Sequence, residues 1–295
     1  MKQTERGFLL LTSHLGDMHS KPLTVAQFRT LANRVRMMEK PKDERELNMS
    51  DMAYLGYDHE TAENILYLLS REEQLDYYMM QGKRKGCYPI ARNSTFYPAT
   101  LHHRLGLDAP GCLWAKGDSK LLEYPSVALV GSRDLDPENE DFAYMVGYQA
   151  AQQGYVLVSG NARGADRVAQ DACLEAGGRV VSIISDSLAE QAETPGILYL
   201  SEDGFDLPFS ALRAVSRNRL IHAMGRCTFV AQCTLDKGGT WNGTVQNLKK
   251  HYSHVFCYKD GSAASKALEQ MGAGLISPQA LYSIEALTSL DESLF

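Results

Sequence analysis

The sequence predicts an α/β protein: a Rossmann-like, doubly wound and mostly parallel sheet, preceded by a small helical N-terminal domain. Three observations carry this expectation. Short apolar runs suited to buried parallel strands, such as Val127-Ala128-Leu129-Val130 and Tyr155-Val156-Leu157-Val158, alternate with segments of helical period. Each of these runs ends in a glycine turn, Gly131-Ser132-Arg133 after the first and Ser159-Gly160-Asn161-Ala162-Arg163-Gly164-Ala165-Asp166 after the second. The chain before about Lys85 lacks the alternation and is rich in helix formers.

In chain order, Val25–Met38 and Thr61–Met80 carry apolar residues at helical intervals, so residues 1–85 read as a helical domain. Lys83-Arg84-Lys85-Gly86 breaks that pattern as a solvated basic turn or an exposed joint. Residues 86–260 read as the Rossmann-like nucleotide- or DNA-binding domain. Strands are expected near Val127–Val130, Tyr155–Ser159, Arg179–Ile184, Ile197–Ser201, Cys227–Gln232 and Val255–Cys257. Helices are expected near Asn139–Gln153, Ala165–Ala176, Ala211–Met224 and Trp241–His251. Residues 261–295 read as a C-terminal helical extension with a loose acidic end, Asp291-Glu292-Ser293.

Composition narrows the class. The chain of 295 residues carries a formal net charge of −6, which argues against a broadly basic surface but leaves room for a local basic site. Arginine and lysine are absent between Arg179 and Arg213, whereas Leu207–Leu235 holds Arg213, Arg217, Arg219 and Arg226 and no acid. No apolar run is long enough to span a bilayer, and Phe8-Leu9-Leu10-Leu11 is too short for a signal-peptide core, so a cytoplasmic protein is expected. The six cysteines form no CxxC pair, which points to reduced thiols. His102, His103, His251 and His254 lack a metal-ligand arrangement, and neither a GxGxxG fingerprint nor a Walker-type lysine is present. No cofactor or metal is therefore expected.

Four turns would converge at the carboxyl ends of parallel strands, where free amides and helix N-termini attract anions. In Gly131-Ser132-Arg133, glycine permits close approach, serine offers a hydroxyl and arginine a two-pronged fork for phosphate. In Ser159–Asp166, Arg163 lies between Gly160 and Gly164, and Asp166 can cap the next helix or orient Arg163. In the third, Arg213 and Arg217 are four residues apart on one helical face, with Asn218 between Arg217 and Arg219, and Arg219 projecting elsewhere; the set would divide between ligand and structure. In the fourth, Lys237, Gly238, Gly239 and Thr240 open a helix, and Trp241 is open to two readings, a base platform or a core plug. Together they point to a nucleotide or a nucleic-acid backbone as ligand.

The ordered set GSR, SGNARGAD, Ser201-Glu202-Asp203, Arg217–Ile221 (RNRLI) and a glycine-threonine turn resembles the DNA-processing protein A (Smf) family. Tyr97-Pro98-Ala99-Thr100-Leu101 and Leu113–Asp118 resemble that family's YPxxL and LyxkGn segments, so the likeness covers roughly Leu47 to Ile276. The chain departs from the family pattern at Ala165, at Gln170 and in the turn Lys237–Thr244, and little length follows Asp260 for a winged-helix domain. The resemblance implies a non-catalytic, dimeric protein that binds single-stranded DNA and hands it to a RecA-type recombinase in natural transformation. It implies that Arg133, Arg163, Arg217 and Lys237 contact the DNA backbone, while Ser132, Gly160, Gly164 and Gly239 let it approach. The replaced turn also resembles the PGGxGT loop of the LOG phosphoribohydrolases, which keeps a nucleoside-monophosphate hydrolase or a nucleotide sensor as alternatives. Hydrolysis needs a carboxylate near the sugar, and after Thr244 come Val245-Gln246-Asn247, so Asp166 or Glu202 would have to face the pocket.

Overall fold

The central strand β3 (Ser126–Val130) organises the molecule, because its alternate side chains feed two different cores: Val127 and Leu129 enter one, Ala128 and Val130 the other. The computed structural model describes residues 1–38 and 46–289. Among these, nine strands form one sheet of order β1-β2-β6-β5-β4-β3-β7-β8-β9. The others are β1 (Cys87–Ala91), β2 (Cys112–Lys116), β4 (Val156–Ser159), β5 (Arg179–Ile183), β6 (Ile197–Ser201), β7 (Cys227–Val230), β8 (His254–Tyr258) and β9 (Gly274–Ile276). From β6 to β9 every neighbour is parallel; β1 and β2 add antiparallel pairs at one edge.

The N-terminal helices are α1 (Gln3–Thr12), α2 (Val25–Met37), α3 (Met49–Tyr54), α4 (His59–Leu69) and α5 (Glu72–Arg84). The helical stretch expected over Thr61–Met80 is two helices, broken at Ser70-Arg71. Arg71 is buried there and donates to the carbonyls of Leu10, Ser13 and His14, satisfying acceptors at the end of α1 that have no partner within the helix. Leu31, Met52, Ile65 and Leu68 make a separate helical core, while Phe8, Leu75 and Tyr78 join Trp114 in a core of the sheet. Of the expected basic turn Lys83–Gly86, Lys83 and Arg84 are the last residues of α5 and only Lys85 and Gly86 form the exposed turn into β1.

Helix α6 (Ala99–Leu105) precedes β2, and α7 (Pro137–Gln152) and α8 (Ala165–Glu175) cover the face served by Val127 and Leu129. Helices α9 (Ala211–Met224), α10 (Gly238–Lys250) and α11 (Ala263–Gln270) cover the other face. The region after Gly261 contains more than helix, since β9 extends the sheet before a short α12 (Ile284–Thr288). The acidic segment Asp291-Glu292-Ser293 lies outside the described residues. All six cysteines are free thiols, five of them buried. Among the described residues no helix is long and apolar enough to cross a membrane.

Candidate anion-binding site

Strand β3 has β4 on one side and β7 on the other, so the connections leaving β3 and β7 diverge at their carboxyl ends. Such a switch point opens a crevice in a doubly wound sheet. Here it is a cleft of about 540 Å³ walled by Gly131, Ser132 and Arg133 after β3, by Lys237 to Thr240 at the start of α10, and by Arg217 and Asn218 of α9. The cleft is held open from within. Thr240 Oγ1 donates to the Gly131 carbonyl at 2.8 Å, and Asn218 Nδ2 donates to the Gly239 carbonyl at 3.1 Å. Lys237 and Gly238 are exposed at the rim, where the amides of the first turn of α10 lack helical partners.

Arg217 is the floor. Its side chain is 9% exposed, its carboxylate neighbour is Asp166 Oδ2 at 4.0 Å from Nη2, and its Nε and Nη1 have no hydrogen-bond partner among the described residues. A buried guanidinium with two unsatisfied nitrogens is costly; the side chain lines the cleft, but those two nitrogens are enclosed, so an acceptor from the cleft reaches them only when the guanidinium turns toward it. Burial lowers the pKa of Arg217, with Asp166 and Asp186 opposing that shift. Burial likewise raises the pKa of Asp166, with Arg217 and the Ala162 amide opposing it. Asp166 Oδ2 accepts from Ala162 N at 3.2 Å and so closes the turn after β4. It is Arg217 that Asp166 faces, whereas Arg163 turns outward and pairs with the exposed Asp134 at 2.7 Å.

Two glycines make this geometry possible. A Cβ on Gly160 would overlap both terminal nitrogens of Arg217 and Asp166 Oδ2. Gly164 has φ +84°, and a Cβ there would lie 2.5 Å from the Ser132 and Arg133 carbonyls, so this turn packs directly on the one after β3. Gln170 underpins it, donating to Ser159 Oγ at 2.7 Å and to the Gly160 carbonyl at 3.2 Å. Ser159 is itself fully buried, so it supports the turn from below.

Two arginines expected at the site are placed elsewhere. Arg213 shares the helix with Arg217 but not its surroundings: it donates to the Ser185, Leu207 and Pro208 carbonyls and to Ser201 Oγ, and pairs with Asp203 at 3.2 Å. Arg219 is bound to Glu202, the acid donated by the end of β6. Neither lines the cleft, because acids distant in sequence reach α9 from the sheet. Trp241 is buried in the core beneath α9 and α10, which decides between its two readings in favour of the plug. Sequence reasoning passed over Phe209, a 56% exposed aromatic ring at the cleft wall, and Asp186 in the adjoining recess; neither residue is flanked by a glycine turn or an arginine cluster that would mark it.

The family described as DNA recombination-mediator protein A matches residues 89–283. Protein Smf of Escherichia coli (strain K12) is 30% identical over 161 residues, which are 50% of this chain and 42% of that protein. DNA processing protein DprA of Streptococcus pneumoniae is 33% identical over 141 residues, 44% of this chain and 50% of that protein. The matched stretch thus spans half or less of these curated relatives. The X-ray structure of DNA processing protein A from Streptococcus pneumoniae superposes with a TM-score of 0.71 at 24% identity, covering 96% of this chain and 98% of that one. A second structure, concerned with the single-stranded DNA binding mode of DNA processing protein A from Helicobacter pylori, gives a TM-score of 0.57 at 24% identity, covering 68% of this chain and 95% of that one.

Proposed function

We propose, on the premise that this chain belongs to the DNA recombination-mediator protein A family, that it binds single-stranded DNA without cleaving it, gripping the phosphates in the cleft above Arg217. The observation that carries this reading is Arg217 itself: a buried cation with two unpartnered nitrogens on the wall of an open cleft. A phosphate oxygen would supply the missing acceptors once the guanidinium turns toward the cleft, and Arg133, Lys237 and the first amides of α10 surround the same space. Arg133 and Lys237 are exposed and form no ion pair among the described residues, so both are free to meet an anion.

The two carboxylates that sugar cleavage would draw on are both engaged, Asp166 facing Arg217 and Glu202 bound to Arg219, which supports binding over hydrolysis. Passing the strand to a recombinase, and doing so as a homodimer, are the finer parts of the reading; the first rests on the family's description as recombination mediators and the second on the resemblance alone. The test is fluorescence anisotropy with labelled single-stranded and duplex DNA. Wild-type protein is expected to bind the single strand, with affinity falling steeply in salt, and Arg133→Ala to bind it more weakly. No binding of single strands by the wild-type protein at low salt would overturn the proposal.

A further inference from the structure

Beyond Arg217 the cleft continues into a second recess of about 280 Å³, and its chemistry is different. Arg133, Arg163 and Arg217 line it together with Phe209, Asn161 and Asp186. The three guanidiniums would favour a phosphate on their side, but the Asp186 carboxylate repels one beside it. A flat, apolar-faced group with hydrogen-bond donors on its edge fits well. Resting on the single-stranded DNA reading above, we propose that this recess receives one base of the bound strand, stacked on Phe209, and that Asp186 makes it selective for guanine.

The carboxylate is positioned for that task. Gln191 Nε2 donates to Asp186 Oδ2 at 3.3 Å, while Oδ1 has no partner among the described residues. The neighbouring Asn161 is fixed by Arg167, which donates to its Oδ1 at 2.9 Å. Arg213 has a part in this as well: by donating to the Ser185 carbonyl at 2.8 Å it anchors the chain beside Asp186. Guanine alone among the four bases presents two adjacent donors, N1–H and the N2 amine, which can meet the two oxygens of a carboxylate together. Cytosine sets its N4 amine beside an acceptor, as adenine does with N6, and thymine flanks N3–H with two carbonyls, so each brings an acceptor against Asp186. An exposed aromatic ring supplies stacking that every base can use, so selectivity has to come from the edge.

The experiment compares oligothymidylate strands that carry a single central dG, dA, dC or deoxyinosine, by anisotropy with wild-type protein. The dG strand is expected to bind about tenfold more tightly than all-dT, as a two-point base contact gives. Deoxyinosine, which lacks the N2 amine, should lose most of that gain, and Asp186→Asn should abolish the discrimination. Equal affinity for dG and dT strands, or equal affinity for dG and deoxyinosine, overturns this inference even if Asp186→Asn does not fold. Binding without base preference defeats the guanine recess and leaves the single-strand reading intact, whereas no binding of any strand defeats that reading itself.

Discussion

Arg217 and Asp166 face each other at 4.0 Å across space that only a glycine at position 160 leaves free. The pair is buried and unequal: Asp166 has a backbone amide to satisfy it, while Arg217 keeps two nitrogens unpartnered. The protein therefore holds a cation in reserve at the bottom of the cleft.

Replacing Gly160 with alanine should displace Arg217, because the added methyl overlaps its guanidinium. A charge-assisted hydrogen bond contributes about 1.5–3 kcal/mol, so single-strand affinity should fall by about tenfold or more. Anisotropy titration checks this; unchanged affinity would mean that Arg217 does not touch the strand.

Arg219 provides the contrast. Its pair with Glu202 is largely buried and lies away from the cleft, with side chains 16% and 15% exposed. Arg219→Ala should lower stability by about 3 kcal/mol, the low end for breaking a buried pair, and leave DNA affinity within about twofold. Urea denaturation beside anisotropy separates the two effects, and a large affinity loss in a stably folded variant would restore Arg219 to the site.

Ionic strength should count the phosphates held. For a single strand, the slope of log affinity against log salt is about −0.7 for each phosphate neutralised. Arg133→Ala removes one exposed cation from the cleft and should flatten the slope by about that amount. A slope that does not change would place Arg133 outside the backbone contacts.

Acid should destabilise the fold through His222. Its ring is fully buried between α9 and α10, with Nδ1 3.0 Å from Asn247 Nδ2 and Nε2 unpartnered, and burial pushes its pKa down from 6.5 to about 3. The folded state thus keeps the ring neutral while the unfolded chain takes up a proton. Stability is complete above about pH 6.5 and is lost as pH falls from there toward 3, by at most about 1.4 kcal/mol per pH unit from this group. Denaturation midpoints at pH 7 and pH 5 should separate for the wild type and draw together in His222→Gln; an unaltered gap would assign the acid sensitivity to other groups.

The parallel strands β3 to β8 and helices α7 to α10 are legible in the sequence because buried parallel strands are continuous apolar runs closed by glycine turns. Strand β1 is not, since Pro89 removes a backbone donor and is tolerated only because β1 is an edge. The break at Ser70-Arg71 is equally hidden, as two consecutive helices keep up an almost continuous period. At the site, the convergence of the turns follows from parallel pairing alone. Which arginine is free does not, because Arg217, Arg213 and Arg219 differ only in the acids that the tertiary fold brings to them: Asp203 and Glu202 from the end of β6, and Asp166 from the first turn of α8. Asp186 and Phe209 carry no local pattern at all and are visible only once the recess is.

The hydrogen bond from Thr240 to Gly131 joins residues 109 positions apart. It sets a schedule for synthesis. A growing chain that has released only β3 to β6 carries Gly131, Arg133 and Arg163 but has neither α9 nor the opening turn of α10 to complete the cleft. Until Thr240 has left the ribosome the cleft lacks one wall, so on the proposed reading full affinity for a phosphate arrives only late in synthesis.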